Sequence, residues 1–170
     1  MKLPYRIEAL SPTHDRQAFD CGETSLNEFL RQYARQNEAK GLGRTFVAVL
    51  PSEPKAYGYY TLAGGTLRPE TVPEKLPRYP TPVVHLGRLG VDKAAKGQGL
   101  GEFLLLDALK RAEQTATQLG MYAVEVYALN EAARSFYFKY GFAPLLDGDL
   151  HLYLTMRAIR MMGRQKGGRR

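Results

Sequence analysis

The sequence lacks the residues from which disulfide frameworks and membrane spans are built. Its 170 residues contain no tryptophan and a single cysteine, Cys21. One cysteine excludes an internal disulfide and makes the cytoplasm the expected location of the protein. No apolar run approaches the roughly 18 residues that a membrane-spanning helix needs. With 44% apolar residues, the chain has enough core-forming side chains for one soluble domain.

Acidic residues are missing from the end of the chain. Residues 157–170, "RAIRMMGRQKGGRR", carry six arginine and lysine side chains, and the formal net charge of the whole chain is +7. We therefore divide the chain into a nearly neutral domain over residues 1–156 and a basic C-terminal tail. Composition favours a flexible, solvated end for this tail. The alternative is a tether for a polyanion such as RNA.

The pattern of apolar residues predicts six strands and three helices. Strands are predicted at residues 5–10, 44–50, 57–65, 83–91, 121–129 and 149–156, and helices at residues 25–41, 98–119 and 130–141. In the first helix, Ser25 and Glu28 have the spacing of a capping box, and Gly41 is a typical C-terminal stop. Asn130 is a typical N-cap for the third helix. This order of elements is that of an α/β domain with a mixed sheet.

Three glycines at alternate positions, in "KGQGLG" at residues 96–101, lie between a predicted strand and a predicted helix. The first N–H groups of a helix have no partner within it and attract anions. Glycines before such a helix leave room for a bulky anion, because they have no Cβ atom. The spacing is neither that of a P-loop nor that of a dinucleotide-binding fingerprint. The segment therefore predicts a phosphate cradle, and a tight turn that needs glycine for its backbone is the structural alternative.

A second segment, "VEVYALNEAARSFYFKYGF" at residues 124–142, places an asparagine at the end of a strand and an aromatic cluster on the following helix. Together with the glycine segment, it resembles the GNAT superfamily of acetyltransferases. The resemblance implies the GNAT fold, which is a mixed, mostly antiparallel sheet flanked by helices, with central strands that splay apart. It also implies acetyl-CoA as the co-substrate and no bound metal.

The resemblance to the GNAT superfamily implies roles for particular residues. The expected acetyl-CoA contacts are Leu89, Gly90, Val91, Lys96, Gly97, Gln98, Gly99, Leu100, Gly101 and Asn130. Lys96 stands where the superfamily usually has glutamine or arginine, and we expect it to meet phosphate as a point charge. Tyr137 is the expected general acid for the departing thiolate, with a buried aromatic position as the alternative. For Asn130, a helix cap is an equally good interpretation that is compatible with cofactor binding.

Two further segments narrow the resemblance. "HDRQAFDCGETSLNEFLRQYARQ" (14–36) and "LPRYPTPVVHLGRLGVD" (76–92) are similar to the GNAT-type toxins of bacterial type II toxin–antitoxin modules. This similarity implies acetylation of the α-amino group of aminoacyl-tRNA, which blocks translation. It also implies a ribbon-helix-helix antitoxin as partner and a homodimer. The alternatives are an acetyltransferase for a small amine or a protein N-terminus, and a non-catalytic module that binds RNA or a partner.

Basic residues around the expected acceptor cleft are the candidates for tRNA binding. They are Arg31, Arg35, Lys40, Arg78 and Arg88, and a solvated surface position is the alternative for each one alone. No strong general base is evident, because Glu125 and His85 fit satisfied sheet positions best. An α-amine titrates near about 8, well below lysine, so an aminoacyl ester needs less help from a base. Cys21 is interpreted as structural.

Overall fold

The strands form a mixed sheet, which confirms the predicted fold class. The computed structural model describes residues 3–167. Within them the strands are β1 Arg6–Ala9, β2 Arg44–Val49, β3 Gly58–Leu67, β4 Thr81–Val91, β5 Ala123–Tyr127, β6 Ala143–Leu145 and β7 Gly148–Thr155. They form one seven-stranded sheet in the order β1-β2-β3-β4-β5-β7-β6. β4 and β5 run parallel, whereas β1–β2, β2–β3, β5–β7 and β6–β7 pair antiparallel.

Helices and short turns connect these strands. In the described range, the α-helices are α1 Thr24–Glu28, α2 Ala34–Ala39, α3 Leu100–Thr115, α4 Glu131–Phe138 and α5 Met156–Gly167. A π-helix covers Phe29–Tyr33, and 3-10 turns cover Pro69–Thr71 and Lys93–Ala95. None of the helices described has both the length and the apolar composition needed to cross a membrane. The second and third predicted helices correspond to α3 and α4, with ends that differ by a few residues.

The first predicted helix is divided into α1, the π-helix and α2. α1 begins at Thr24, and no side chain caps its N-terminus. The predicted capping box of Ser25 and Glu28 is therefore wrong, because Ser25 lies inside the first turn instead of before it. Gly41 has a φ angle of 73° after α2, which is the left-handed conformation of a helix stop. The C-terminal end of the predicted helix is thus confirmed.

The chain forms two compact units, each with its own apolar core. The first unit comprises the chain up to residue 63 and residues 87–108. Its core includes Phe19, Leu30, Val47 and Tyr59, which have no exposed surface. The hydroxyl of Tyr59 donates to the carbonyl oxygen of Leu26 at 2.6 Å, so its polar atom is satisfied inside the core. Burial of each such large side chain contributes about 1.5–3 kcal/mol to folding.

The second unit comprises residues 64–86 and the chain from residue 109 onward. Its core is a cluster of buried apolar side chains, namely Leu67, Val72, Val83, Ala123 and Leu145. Leu145 belongs to β6, which pairs with β7 in a register that shifts between Pro144 and Leu145. The sequence pattern did not predict β6, because a strand of three residues is too short to show alternation.

The basic C-terminal stretch is helical as far as it is described. α5 begins at Met156, and the hydroxyl of Thr155 accepts a hydrogen bond from the N–H of Ala158 at 3.1 Å. Met156 and Ile159 are buried, so apolar side chains anchor the helix to the second unit. The structure therefore differs from the flexible end that composition favours for residues 157–167. Arg169 and Arg170 lie outside the described residues.

Candidate active site

The loop between β4 and α3 has a backbone that requires glycine. Gly97 and Gly99 have φ angles of 80° and 82°, in the left-handed region that other residues rarely adopt. A Cβ atom placed on either residue meets no atom within 4 Å. The loop is therefore open on the side that a side chain would occupy. The turn conformation therefore explains why Gly97 and Gly99 are glycines. The same two residues leave open space along the loop in which a phosphate cradle can form.

The N-terminus of α3 places backbone donors beside this loop. α3 begins at Leu100, and the N–H of Phe103 donates to the carbonyl oxygen of Gly99 at 3.1 Å. The N–H groups before Phe103 are those that a helix leaves without an internal partner. Together with the helix dipole, they favour a negative charge at this end. The open loop and its donors fit the diphosphate of a nucleotide cofactor.

Two side chains of the loop are held by other parts of the first unit. Nζ of Lys96 donates to the carbonyl oxygen of Cys21 at 2.8 Å, which leaves two of its three donors for another acceptor. The hydroxyl of Tyr5 donates to Oε1 of Gln98 at 3.1 Å. Burial and the nearby Asp92 carboxylate raise the pKa of Tyr5, so this phenol keeps its proton at neutral pH. Both contacts orient the loop from its protein side.

The predicted contacts on β4 follow the segment that pairs with β5. Residues 83–86 of β4 form these pairs, and the strand continues through Leu89, Gly90 and Val91. Gly90 is buried, and a Cβ atom there would lie 3.4 Å from the ring of Phe19. A side chain larger than methyl would therefore press on the core. This arrangement is compatible with backbone groups of β4 that serve a ligand.

Asn130 and the thiol of Cys21 have local structural roles. Oδ1 of Asn130 accepts a hydrogen bond from the N–H of Ala133 at 2.9 Å, so the predicted cap of α4 is confirmed. Cys21 is buried and forms no disulfide. Burial raises the pKa of its thiol, and a thiol that stays protonated is a poor nucleophile. The structural interpretation of Cys21 agrees with this environment.

Tyr137 is buried on α4, with 5% of its surface exposed. The rings of Phe136 and Phe142 pack against it, with centroids at 5.2 and 5.3 Å. Burial raises the pKa of the Tyr137 phenol above its ordinary value. The hydroxyl is therefore protonated at neutral pH, and its position is held because the packed ring cannot change rotamer freely.

A chain of polar side chains runs through the sheet of the second unit. Nδ1 of His85 hydrogen-bonds to Oε1 of Glu125, and Nε2 of His151 lies 3.0 Å from the other oxygen, Oε2. The Asp147 carboxylate contacts Nδ1 of His151 at 2.9 Å. The ring of Tyr127 stacks on that of His151, with 3.8 Å between centroids. The sequence points to Glu125 and His85 one at a time, and the part that His151 and Asp147 play emerges only from the structure.

Glu125 is the centre of this network and is 6% exposed. Burial alone would raise the pKa of its carboxyl, but the hydrogen bonds from His85 and His151 outweigh that effect and lower it. The carboxylate is therefore ionised at neutral pH and bridges both rings. The sequence does contain a signal for the contact between Glu125 and His151. Both are titratable residues within otherwise apolar strands, and these strands, β5 and β7, pair in the sheet.

The predicted tRNA contacts divide into exposed and internally held residues. Arg35, Lys40 and Arg78 are exposed. Arg31 donates from Nη2 to the carbonyl oxygen of Phe19, and its buried Nε has no hydrogen-bond partner among the described residues. The guanidinium of Arg88 lies 3.7 Å from the ring centroid of Phe29. Arg31 and Arg88 therefore have packing roles in the first unit, and the exposed three are the more accessible cations.

Comparison with known proteins finds relatives over almost the whole chain. Residues 62–142 match the acetyltransferase (GNAT) family. A tRNA-acetylating toxin of Mycobacterium tuberculosis is 36% identical over 156 residues, which cover 90% of this chain and 93% of the relative. The structure of AtaT complexed with acetyl-methionyl-tRNAfMet has a TM-score of 0.86 and 32% identity, over 94% of this chain and 99% of that chain. A tyrosine-to-phenylalanine mutant of the toxin AtaT, bound to the C-terminus of the antitoxin AtaR and acetyl-CoA, has a TM-score of 0.83 and 30% identity, over 94% and 98% of the two chains.

Proposed function

This chain belongs to the GNAT acetyltransferase family, and on that premise we propose that it is a toxin that acetylates aminoacyl-tRNA. It transfers the acetyl group of acetyl-CoA to the α-amino group of the aminoacyl ester. During peptide bond formation, the α-amine of an aminoacyl-tRNA attacks the ester of the peptidyl-tRNA. An acetylated α-amine cannot make this attack, so translation stops. The observation that carries this proposal is the similarity to a tRNA-acetylating toxin over 90% of this chain. The open, left-handed loop of Gly97 and Gly99 before α3 supports the part of the proposal that concerns acetyl-CoA.

The residues predicted to hold acetyl-CoA keep that role in the proposal. Backbone N–H groups of residues 97–101 donate to the diphosphate oxygens, since glycine leaves them uncovered. The two remaining donors of Lys96 neutralise part of the diphosphate charge. The backbone of residues 89–91 and the side chain of Asn130 hold the pantetheine arm. When bound, acetyl-CoA supplies a thioester that is activated toward attack by an amine.

Tyr137 supplies the hydrogen bond that the departing thiolate needs. An ordinary phenol titrates at about 10 and an ordinary thiol at about 8.5, so full proton transfer is slightly uphill in water. Burial raises the pKa of Tyr137, and a buried thiolate is disfavoured for the same reason. The phenol therefore meets the sulfur as negative charge develops on it. Such general-acid assistance is worth about 10²–10⁴-fold in rate.

The attacking amine needs no strong base in this scheme. As the C–N bond forms and the C–S bond breaks, the nitrogen loses its proton to water, and the departing sulfur gains one through the phenol of Tyr137. An ordinary α-amine titrates at about 8, so on the order of a tenth of it is neutral at pH 7. The ester beside it withdraws electrons and lowers this value further. The network of Glu125, His85 and His151 is consequently assigned to the pairing of β4, β5 and β7, where each ring has a partner.

Exposed basic residues form the proposed contact with the tRNA backbone. Arg35, Lys40 and Arg78 are exposed, and so are three arginines of α5, namely Arg157, Arg160 and Arg164. Their spacings of three and four residues place these arginines on one face of α5. No acidic residue occurs in α5, which favours the polyanion-binding interpretation of the basic stretch. Arg31 and Arg88 are the weaker candidates, because internal contacts already hold them.

A ribbon-helix-helix antitoxin, a homodimer and a cytoplasmic site of action complete the proposal. AtaT, at 30% identity, is known in complex with the C-terminus of the antitoxin AtaR. The ribbon-helix-helix class of the antitoxin and the dimer are implied by the resemblance to the toxin family. The cytoplasmic location follows from the substrate, since charged tRNA is consumed by ribosomes there. Co-expression with the product of a neighbouring gene and light scattering of the purified chain test the two assemblies.

Cell-free translation tests the proposed function directly. Inhibition should require acetyl-CoA, and mass spectrometry of the recovered charged tRNA should find acetyl groups on the α-amine. The variant Tyr137→Phe should bind coenzyme A and fail to inhibit. Inhibition without acetyl-CoA would indicate a binding module instead. Acetylation of small amines or protein N-termini, with charged tRNA untouched, would support the alternative acetyltransferase.

A further inference from the structure

The segment of residues 19–22, which has no part in the proposed function so far, is bonded to the loop before α3. The N–H of Asp20 donates to Oδ2 of Asp92 at 3.1 Å, across 72 positions of the sequence. Nζ of Lys96 donates to the carbonyl oxygen of Cys21 at 2.8 Å, across 75 positions. We refer to residues 19–22 as the brace, because they contact both the start and the middle of that loop.

Asp92 holds the brace and the start of the loop with one carboxylate. It is 4% exposed, and its Oδ1 accepts a hydrogen bond from the N–H of Ala94 at 3.1 Å. Nζ of Lys55 lies 3.6 Å from the same oxygen, while Oδ2 takes the N–H of Asp20. A buried carboxylate with these partners is satisfied, so it is a stable anchor. The N–H of Lys93 adds a backbone bond to the carbonyl oxygen of Asp20 at 2.9 Å.

Asp20 fixes the conformation of the brace itself. Its Oδ1 accepts from the N–H of Gly22 at 2.9 Å and from Nδ2 of Asn27 at 3.0 Å. Oδ1 of Asn27 accepts in turn from the N–H of Cys21 at 2.9 Å. The hydrogen bonds from Gly22 and Asn27 lower the pKa of Asp20 to about 2. Gly22 has a φ angle of 89°, and this turn directs the carbonyl of Cys21 toward Lys96.

We propose that the brace positions the Lys96 ammonium and the glycine loop for the diphosphate of acetyl-CoA before that ligand binds. The inference rests on the proposed function, since it takes the diphosphate to bind at residues 96–101. A lysine side chain has many rotamers, and one that is already held loses less conformational entropy when it meets an anion. The carbonyl of Cys21 occupies one donor and leaves two for phosphate. Brace residues are thus positioning residues that act through Lys96 and the loop.

A pair of glycine variants tests the brace without changing any charge. Gly22→Ala strains the left-handed turn and places a methyl group 3.7 Å from Nζ of Lys96. Gly41→Ala is the matched control, because Gly41 is also left-handed, at 73°, with no atom within 4 Å of its would-be Cβ. Calorimetry with coenzyme A should give a dissociation constant about tenfold higher for Gly22→Ala and one within about twofold of wild type for Gly41→Ala.

A second pair removes an aspartate. Asp20→Ala takes away the acceptor for Gly22 and Asn27, and coenzyme A should bind about tenfold more weakly. Asp15→Ala is its control, since Asp15 makes the same kind of local bond, to the N–H of Gln17 at 3.0 Å. Asp20→Asn retains the Oδ1 acceptor and should restore most of the affinity. In the ligand-free protein, the amides of residues 97–101 should exchange hydrogen faster in Asp20→Ala than in wild type.

The kinetic readout separates positioning from a general loss of folded protein. For the two brace variants, KM for acetyl-CoA should rise with the dissociation constant, while kcat stays within about twofold. A lower kcat at unchanged KM would overturn the proposal, and so would equal coenzyme A affinity in wild type and both brace variants. Where Asp20→Ala does not fold, the comparison of Gly22→Ala with Gly41→Ala decides the question. If wild type itself fails to bind coenzyme A, the proposed function fails before the brace is tested.

Discussion

The two units of the chain use buried carboxylates in different ways. In the first unit, Asp92 accepts hydrogen bonds from the backbone N–H groups of Asp20 and Ala94 and so shapes the start of the loop before α3. In the second unit, Glu125 binds two histidine rings inside the sheet, and one of these rings binds Asp147 in turn. A carboxylate that organises backbone prepares a site for an anion, whereas one that pairs with side chains ties strands together. The proposed diphosphate site lies in the first unit, and Tyr137, the proposed general acid, lies in the second.

Tyr137→Phe should give the largest effect and should separate chemistry from binding. Loss of the hydroxyl removes the donor for the departing sulfur, so kcat for acetylation of charged tRNA should fall about 100-fold or more. Coenzyme A affinity should stay within about twofold of wild type, because the ring and its packing remain. Rates with radiolabelled acetyl-CoA and calorimetry measure the two quantities. A variant that keeps its rate would leave the second unit without a catalytic role.

Gly99→Val, in the first unit, should have the opposite effect to Tyr137→Phe. It should weaken the binding of coenzyme A rather than slow the chemical step. The φ angle of 82° is unfavourable for a β-branched residue, and the side chain would occupy the open face of the loop. Coenzyme A affinity should fall about tenfold to 100-fold. Gly120→Val is the control, because Gly120 has open space around it outside the loop. Equal losses in both variants would mean that the loop has no special part in binding.

The Glu125 network predicts acid sensitivity for the second unit. The pKa of Glu125 is lowered in the fold, so its ionised form stabilises the protein above the ordinary value of 4.5. That contribution is lost as the pH falls through the lower, folded value. Glu125→Gln should lower the free energy of unfolding by about 3 kcal/mol at pH 7. The decrease of Tm with falling pH should also be less steep in this variant than in wild type.

Glu131→Gln is the control for the acid prediction, since Glu131 is an exposed carboxylate in its ion pair with Arg134. Its removal should change the free energy of unfolding by less than about 1 kcal/mol. Thermal melts from about pH 7 down to about pH 3 measure both variants. An acid limb as steep in Glu125→Gln as in wild type would show that other carboxylates govern acid unfolding.

Replacement of Arg157, Arg160 and Arg164 by glutamine should give the smallest effect, on tRNA affinity alone. Each lost phosphate contact should lower the slope of log affinity against log salt by about 1. Coenzyme A affinity should not change, because α5 contributes no residue to the proposed coenzyme A site. The triple replacement by lysine keeps the charge and should keep most of the salt dependence. If the glutamine variant has the same salt dependence of tRNA affinity as wild type, the arginines of α5 are solvated surface residues that do not contact tRNA.

Features that depend on near neighbours in the chain were predictable. The left-handed glycines of the loop, the stop at Gly41 and the cap at Asn130 each follow from local backbone geometry. The π-helix was not predictable, because its carbonyls are held by Arg16, which donates to those of Leu30 and Arg31. The capping box failed because the helix starts at Thr24, two residues before the Leu26 that a cap at Ser25 implies.

By itself, the sequence determined the order of the six predicted strands, the glycine-lined loop before α3 and the aromatic helix that carries Tyr137, but not β6, α5 or the π-helix. Only the tertiary structure decided that Lys96 is held by the carbonyl of Cys21, that Glu125 meets His151, and that Arg31 turns inward to Phe19. The physical reason is range. Backbone preferences and apolar periodicity act over a few residues, whereas a hydrogen bond across 75 positions forms only after the chain has closed around it.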